Sequence, residues 1–229
     1  MIKFSYFLIL MLCMCCFSNV LHYKEITKET TFFHKVVIHE NSMGFTINAE
    51  SESEGKNISY TKLQTDKNMA SIYWNYTNID YEIHLDAKRS ENIIIVTGNN
   101  SGKSINKKIK IDCHPWYQIF PDIPHGLQSL INIKDTKIKF WYLGIKPVMG
   151  ILANAKKNKK YFKEIAFNNK KITSIGMNIS PDGIVGILWR ELYWFRKSDN
   201  VFVFVEGAIK SNKYKTVIEL IPPPFIIGK

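Results

Sequence analysis

The sequence predicts a mainly β protein: a single curved antiparallel sheet, or half-barrel, with one or two short helices. Runs in which apolar and polar residues alternate recur along most of the chain, and short polar turns separate them. Strands that recur every roughly 8–12 residues between turns are typical of an antiparallel sheet or a partial barrel. No linker, low-complexity tract or internal repeat divides the runs, so we expect one domain.

The first half of the chain reads as a series of hairpins. Residues 40–43 and 88–92 are polar turns between apolar runs. In residues 107–111, Ile109 and Ile111 alternate with lysines, which places the two isoleucines on one face of a strand. The predicted strands are 33–39, 44–49, 72–76, 81–87, 93–97 and 107–111.

The middle of the chain breaks this rhythm. Residues 115–130 are rich in aromatic residues and prolines and have room for a helical turn or two. Strand patterns then resume, and residues 197–200 form a strong hairpin turn. The predicted strands of this half are 138–143, 152–156, 161–165, 171–179, 192–196, 201–206 and 216–221.

The N-terminus has the three-part layout of a secretory signal peptide. Lys3 gives a basic start, residues 4–17 are almost wholly apolar, and Ser18 begins the polar remainder. The apolar run is shorter than the about 20 residues that a membrane-spanning helix needs. We therefore expect residues 1–18 to be removed and residues 19–229 to form the domain, in the periplasm or outside the cell. The residues before Cys15 and Cys16 fit a lipoprotein signal poorly, so a lipid anchor in the outer membrane is the less favoured alternative.

Composition narrows the classes of partner and site. The net charge is +11, but the lysines are scattered along the chain. Together with export, this indicates a solvated surface and argues against binding of nucleic acid. Cys113 is the only cysteine after the predicted signal, which excludes an intramolecular disulfide and a cluster of thiolate metal ligands.

Two short motifs resemble catalytic or binding sites, and both are interpreted as structural. Residues 98–104 (GNNSGKS) have three residues between the glycines where a phosphate-binding loop needs four, and a strand pattern follows them. We therefore predict a glycine-rich hairpin turn that binds no nucleotide. Cys113 and His114 are adjacent, and on an extended chain their side chains would point to opposite faces, which argues against a thiol–imidazole pair.

The histidines show no metal-ligand spacing. His34 and His39 are predicted to lie on opposite faces of one strand, and the others are isolated. Glu50, Glu52 and Glu54 are predicted to lie in a solvated polar loop. The sequence thus predicts no catalytic residue, no metal site and no cofactor.

Aromatic residues spread over several strands are the candidate binding site. They would either pack the core or line an apolar concavity in an incompletely closed sheet. In the second case residues 115–130 are the natural lid, and a lipid or acyl chain is the expected ligand. The candidate ligand-binding residues are Trp116, Phe120, Leu127, Trp141, Trp189 and Trp194.

Several segments occur in an order that resembles an uncharacterised family of exported bacterial proteins with a C-terminal YWFRKSDG…YEG…TVIEL signature. The resemblance implies a build similar to the antiparallel half-barrels of periplasmic lipoprotein carriers, and no catalytic residue carries over from it. Asn200 stands where the family has glycine, and asparagine also tolerates the left-handed turn conformation. The matching segments are 81–89, 97–98, 102–103, 111–112, 115–118, 140–141, 189, 193–199, 206–207 and 216–220.

The function that we expect is that of an exported, non-enzymatic protein that binds a lipid, another apolar ligand or an envelope component. Peripheral contact with a membrane is compatible with this function, and the oligomeric state is left open. The first alternative is an exported hydrolase with dispersed catalytic residues. An integral outer-membrane barrel is disfavoured, because both faces of most strands carry lysine or asparagine and no terminal aromatic closes the chain.

Overall fold

The computed structural model describes residues 18–27, 30–119, 124–131, 137–167, 170–183, 189–209 and 217–222. The apolar part of the predicted signal peptide lies outside these residues. Fourteen strands, one turn of 3₁₀ helix (His125–Leu127) and one short helix, α1 (Gln128–Ile131), make up the described fold. The strands are β1 Ser18–Ile26, β2 Thr31–Asn41, β3 Gly44–Ser53, β4 Lys56–Asp66, β5 Ser71–Asn78, β6 Ile83–Ser90, β7 Ile93–Asn100, β8 Lys103–Lys110, β9 Lys137–Ile145, β10 Val148–Phe167, β11 Lys170–Pro181, β12 Trp189–Arg196, β13 Phe202–Ile209 and β14 Val217–Ile221.

All fourteen strands belong to one antiparallel sheet, which confirms the predicted fold class. The order across the sheet is β8-β7-β6-β5-β4-β3-β2-β1-β14-β13-β12-β11-β10-β9. Within each half, neighbours in sequence are neighbours in space, as expected where short turns join antiparallel strands. The two halves meet where β1 pairs with β14, so the first strand lies at the centre of the sheet.

Four strands differ from the sequence prediction. β1 and β4 were not predicted, because β1 directly follows the apolar N-terminus and β4 alternates with serine and threonine on its buried side. Glu50 and Glu52 lie on β3, so the prediction of a polar loop was wrong for them, while Glu54 lies in the turn with a φ of 52°. The predicted strands 152–156 and 161–165 are parts of β10, whose pairing with β11 shifts register between Asn158 and Phe162.

The two edges of the sheet, β8 and β9, are not joined by backbone pairing. Side chains bridge this seam instead: Asn100 Nδ2 donates to the carbonyl of Ile145 at 2.6 Å. Lys107 Nζ donates to the carbonyl of Val148 at 2.9 Å. The curled sheet therefore comes close to closing on itself without becoming a hydrogen-bonded barrel.

The core lies on the inner face of the curled sheet. Tyr23, Trp74 and Phe202 are fully buried there, and the Tyr23 hydroxyl donates to the carbonyl of Phe202 at 3.1 Å. Because alternate residues of a strand face opposite sides, the same strands present lysine, asparagine and histidine on the outer face. Among the described residues, no helix is long and apolar enough to cross a bilayer.

Candidate functional site

Three of the six predicted ligand-binding residues lie in the core. Trp116 and Leu127 are completely buried, and Trp194 is 7% exposed. Trp141 is partly exposed on β9. Trp189 begins β12, but its side chain is outside the described part of the structure, and Phe120 lies outside the described residues.

The segment predicted to be a lid is attached to the sheet by backbone and side-chain bonds. The amide of Tyr117 donates to the carbonyl of Trp141 at 2.8 Å, and the amide of Ser71 donates to the carbonyl of Trp116 at 2.7 Å. The Gln118 carboxamide donates to the carbonyl of Leu143 and accepts from its amide, both at 3.1 Å. These contacts are those of a segment that packs inside the fold, which favours the core alternative for Trp116 and Leu127.

His125 is a buried titratable group of this segment, with 1% of its surface exposed. Its Nδ1 lies 2.7 Å from the Gln128 carboxamide nitrogen, which can only donate, so Nδ1 accepts and Nε2 carries the proton. Nε2 has no hydrogen-bond partner among the described residues. Burial lowers the pKa of His125 to about 3, so the ring is neutral in the folded protein.

The buried His125 ring predicts that stability falls on mild acidification. The unfolded chain takes up a proton near pH 6.5 and the folded chain only near pH 3, so stability is lost as the pH falls through this window. We expect the free energy of unfolding to fall by about 2 kcal/mol between pH 7 and pH 5. The slope reaches about 1.4 kcal/mol per pH unit once the pH is below 6.5. Urea unfolding at both pH values measures it.

The comparison with His125→Leu isolates this effect, because every other titrating group is common to the two proteins, including His22, whose pKa is also lowered by burial. The pKa of Asp112 and that of Asp182 are lowered to about 2, so their contributions are lost at lower pH. Burial raises the pKa of Glu191, which adds stability as the pH falls. An unchanged pH slope in His125→Leu, with the exposed His84→Leu as the control, would contradict the prediction.

An open groove of about 550 Å³ lies beside β9 and β10. Trp141 pairs with Leu152 across these strands and faces away from the buried Phe140 and Tyr142. Gly150 has no room for a side chain, because a Cβ there would lie 2.7 Å from Ile109 Cγ2 and 3.4 Å from the Trp141 ring. The lining residues, most of them apolar, are Trp141, Tyr142, Met149, Gly150, Ile151, Leu152, Pro181 and Asp182.

Asp182 gives this groove a polar end. Its carboxylate accepts from Lys139 Nζ at 2.6 Å and from Asn154 Nδ2 at 2.8 Å. The bond from Lys139 is the largest cause of the lowered pKa of Asp182, so the group is ionised and charge-paired at neutral pH. An apolar surface with one fixed polar end is the general form of a small-molecule site.

The turn at Asp112 corrects one step of the sequence argument. The chain bends at Cys113 and His114 instead of running extended, so the possible ligand atoms of Asp112, Cys113 and His114 lie within 4.8 Å of one another. Asp112 Oδ1 accepts from Trp141 Nε1 at 2.8 Å and from the amide of His114 at 2.9 Å. Of these bonds, that from Trp141 contributes most to the lowered pKa of Asp112. The carboxylate organises the turn, and the absence of a metal site stays a prediction.

The glycine-rich motif is a hairpin, as predicted. β7 ends at Asn100, β8 begins at Lys103, and Ser101 and Gly102 form the turn with φ of 53° and 80°. No helix follows whose amides could hold a phosphate, since β8 continues through Lys110.

Two groups of polar side chains on the inner face were missed by sequence reasoning. Glu25, His34 and Ser51 are linked through the His34 ring on three neighbouring strands. On β12, the Tyr193 hydroxyl donates to Glu191, whose pKa is raised by burial despite that bond. Strand pairing brings the members of the first group together, so it has no local sequence signature, whereas Glu191 and Tyr193 share a face because they are two residues apart on one strand.

Comparison with known proteins supports the fold alone. No known family matches the chain, and no curated protein does. A crystal structure of a β-barrel-like protein of the domain of unknown function DUF1849 from Brucella abortus is similar, with a TM-score of 0.54 at 10% sequence identity. The match covers 88% of this chain and 96% of that one. The resemblance to a family with a C-terminal signature stays a prediction.

Proposed function

We propose that the protein is exported and binds a lipid or another apolar ligand in the groove beside Trp141, without catalysing a reaction there. The observation that carries this proposal is the groove itself, which combines an apolar lining with a charge-paired polar end. Its volume of about 550 Å³ falls within the range of about 300–1,000 Å³ typical of small-molecule sites.

The side chains of the groove suit an acyl chain. Met149 is 46% exposed, and its unbranched thioether can adapt to ligands of different shape. Trp141 is fixed by the hydrogen bond from its Nε1 to Asp112, so little rotamer freedom would be lost on binding. Because an adaptable side chain and a fixed aromatic ring both line the groove, it favours a ligand class over a single ligand.

A fluorescent fatty-acid titration tests this proposal. We expect saturable binding to the wild type and at least tenfold weaker binding to Trp141→Ala, because burying a large aromatic surface contributes about 2 kcal/mol. Met149→Asp should weaken binding as well, since it places an unpaired charge in the groove at a position that the core does not use. Tyr60→Ala, at an exposed aromatic on β4, is the matched control.

The outcomes separate the two parts of the proposal. Absence of saturable binding, or equal affinity in wild type, Trp141→Ala and Met149→Asp, would rule out the groove. The intact mass of the same protein, expressed in a bacterium with its own N-terminus, reports on export: we expect a chain that begins near Asn19. A chain that begins at Met1 would contradict export.

A further inference from the structure

A hydrogen-bonded chain of serine, histidine and glutamate crosses three neighbouring strands on the inner face. His34 on β2 stands directly opposite Ser51 on β3, and its Nδ1 lies 2.7 Å from the Ser51 hydroxyl oxygen. On the other side, His34 Nε2 lies 2.9 Å from Glu25 Oε2 on β1. The imidazole therefore connects an acid to a hydroxyl, one through each ring nitrogen.

The chemistry of the partners fixes the position of each proton. An ionised carboxylate can only accept, so the hydrogen between Glu25 and His34 belongs to Nε2. A neutral imidazole then has a lone pair on Nδ1, and the hydrogen between Ser51 and His34 belongs to the serine. This is the protonation pattern in which a histidine can take the proton of a serine that acts as a nucleophile.

We propose that Ser51, His34 and Glu25 form a hydrolytic site for carboxylic esters, separate from the groove beside Trp141. In the serine–histidine–aspartate triad of serine hydrolases, the serine contacts Nε2 and the acid contacts Nδ1. Here the serine is on Nδ1 and the acid is on Nε2. Such sites are defined by the geometry and role of each group, and either nitrogen can act as the base.

The reaction balances with an ester and water alone. Ser51 Oγ adds to the ester carbonyl carbon while its proton passes to His34 Nδ1, and the departing alcohol oxygen takes that proton as its bond to carbon breaks. Water then gives a proton to Nδ1 and adds to the acyl group on Ser51. The serine oxygen recovers the proton as the carboxylic acid leaves.

The surroundings on the inner face suit this step. The next pair along these strands is Val36 opposite Ala49, and both are buried, so the site borders the apolar core. Ser59 on β4 stands opposite Ser51 in register, and directly opposite residues share a face. We assign its hydroxyl as the donor to the oxyanion.

Access to the site is compatible with its burial. His34 is 8% exposed, so water is largely kept from the imidazole, and the side chain of Glu25 is 22% exposed. Ser51 is intermediate in burial and lies two residues before the end of β3, near the turn to β4. The nucleophile is thus close to one open end of the half-barrel, where a substrate can approach.

Labelling with an alkyl fluorophosphonate and hydrolysis of p-nitrophenyl butyrate by the purified protein test this proposal. We expect one phosphonyl adduct, located on Ser51 by peptide mass spectrometry. Ser51→Ala should abolish the adduct and lower kcat/KM by at least about 100-fold. Ser59→Ala should keep the adduct and lower kcat by about 100-fold, as expected for loss of an oxyanion donor.

Ser53→Ala is the matched control, because Ser53 lies two residues further along β3 and its hydroxyl donates to the carbonyl of Thr31. It should keep both the adduct and the rate, and circular dichroism should show all variants folded. No adduct and no hydrolysis above the buffer rate, or equal rates in Ser51→Ala and wild type, would overturn the proposal. Fatty-acid affinity should be unchanged in Ser51→Ala. A failure of the hydrolytic proposal is therefore distinguishable from a failure of the proposed ligand groove.

Glu25 is a positioning residue in this proposal, since it acts through His34. Glu25→Gln removes the charge that stabilises the imidazolium, so kcat should fall at least tenfold with little change in KM. The pH midpoint of the remaining rate should also move downward. A purely structural role for Glu25 would leave that midpoint in place and would contradict this assignment.

Discussion

Replacing Trp116 by alanine is expected to lower the free energy of unfolding by about 3–5 kcal/mol, the cost of deleting a large aromatic side chain from a core. Trp116 is completely buried, and its indole Nε1 donates to Gln118 Oε1 at 3.1 Å. The substitution would leave a cavity behind the bridge between Trp116 and Trp141. Urea unfolding, with an unchanged slope against urea concentration, measures the loss.

Trp116→Phe is the matched control, because it keeps an aromatic ring and most of the side-chain volume but loses the indole donor. We expect it to cost about 1–2 kcal/mol, most of it from the unmade hydrogen bond. If Trp116→Ala instead kept full stability and lost affinity for fatty acid, the residue would line a ligand site. That outcome would restore the lid interpretation of residues 115–130.

Replacing Gly98 by alanine is expected to cost more than about 3 kcal/mol. A Cβ at this position would lie 2.0 Å from the carbonyl oxygen of His84, which belongs to the backbone of β6 and cannot move aside cheaply. The residue also has a φ of 132°, a conformation that residues with a side chain rarely adopt. The strain and the clash therefore act together.

Gly102→Ala is the matched variant without a clash. Gly102 has a φ of 80°, but a Cβ there would meet nothing within 4 Å, so only the backbone strain of about 1 kcal/mol remains. The difference in thermal or urea stability between the two variants measures the clash together with the greater backbone strain at a φ of 132° than at 80°. Equal stabilities would show that β6 and β7 can separate locally without cost.

The hairpins of this fold could be predicted because their signals are local. Alternation over residues 93–97 and 107–111 and the glycines between them predict the pairing of β7 with β8, and the structure confirms it. The turn at residues 197–200 likewise joins β12 to β13. The requirement for glycine at position 98 is not a local signal of this kind. Gly98 lies inside β7 opposite Leu85, and its close contact is with the backbone of the neighbouring strand β6.

The missed elements show where local signals fail. β4 was not predicted, since its buried positions include Ser59, Thr61 and Thr65, which have no apolar alternation. The predicted strands 152–156 and 161–165 left a gap between them, yet β10 runs through it with a shift in register. In each case the strand forms because neighbouring strands supply its backbone hydrogen-bond partners, and the local sequence pattern does not predict these partners.

By itself, the sequence determined the meander of antiparallel strands, since alternation and short turns act over a few residues. Only the tertiary structure decided how the sheet curls, where β1 joins β14, and which aromatics are buried. Curling carries Trp116 and Leu127 into the core and leaves Trp141 beside a groove. The cross-strand register places His34 between Glu25 and Ser51, and this pairing is set by long-range contacts along whole strands.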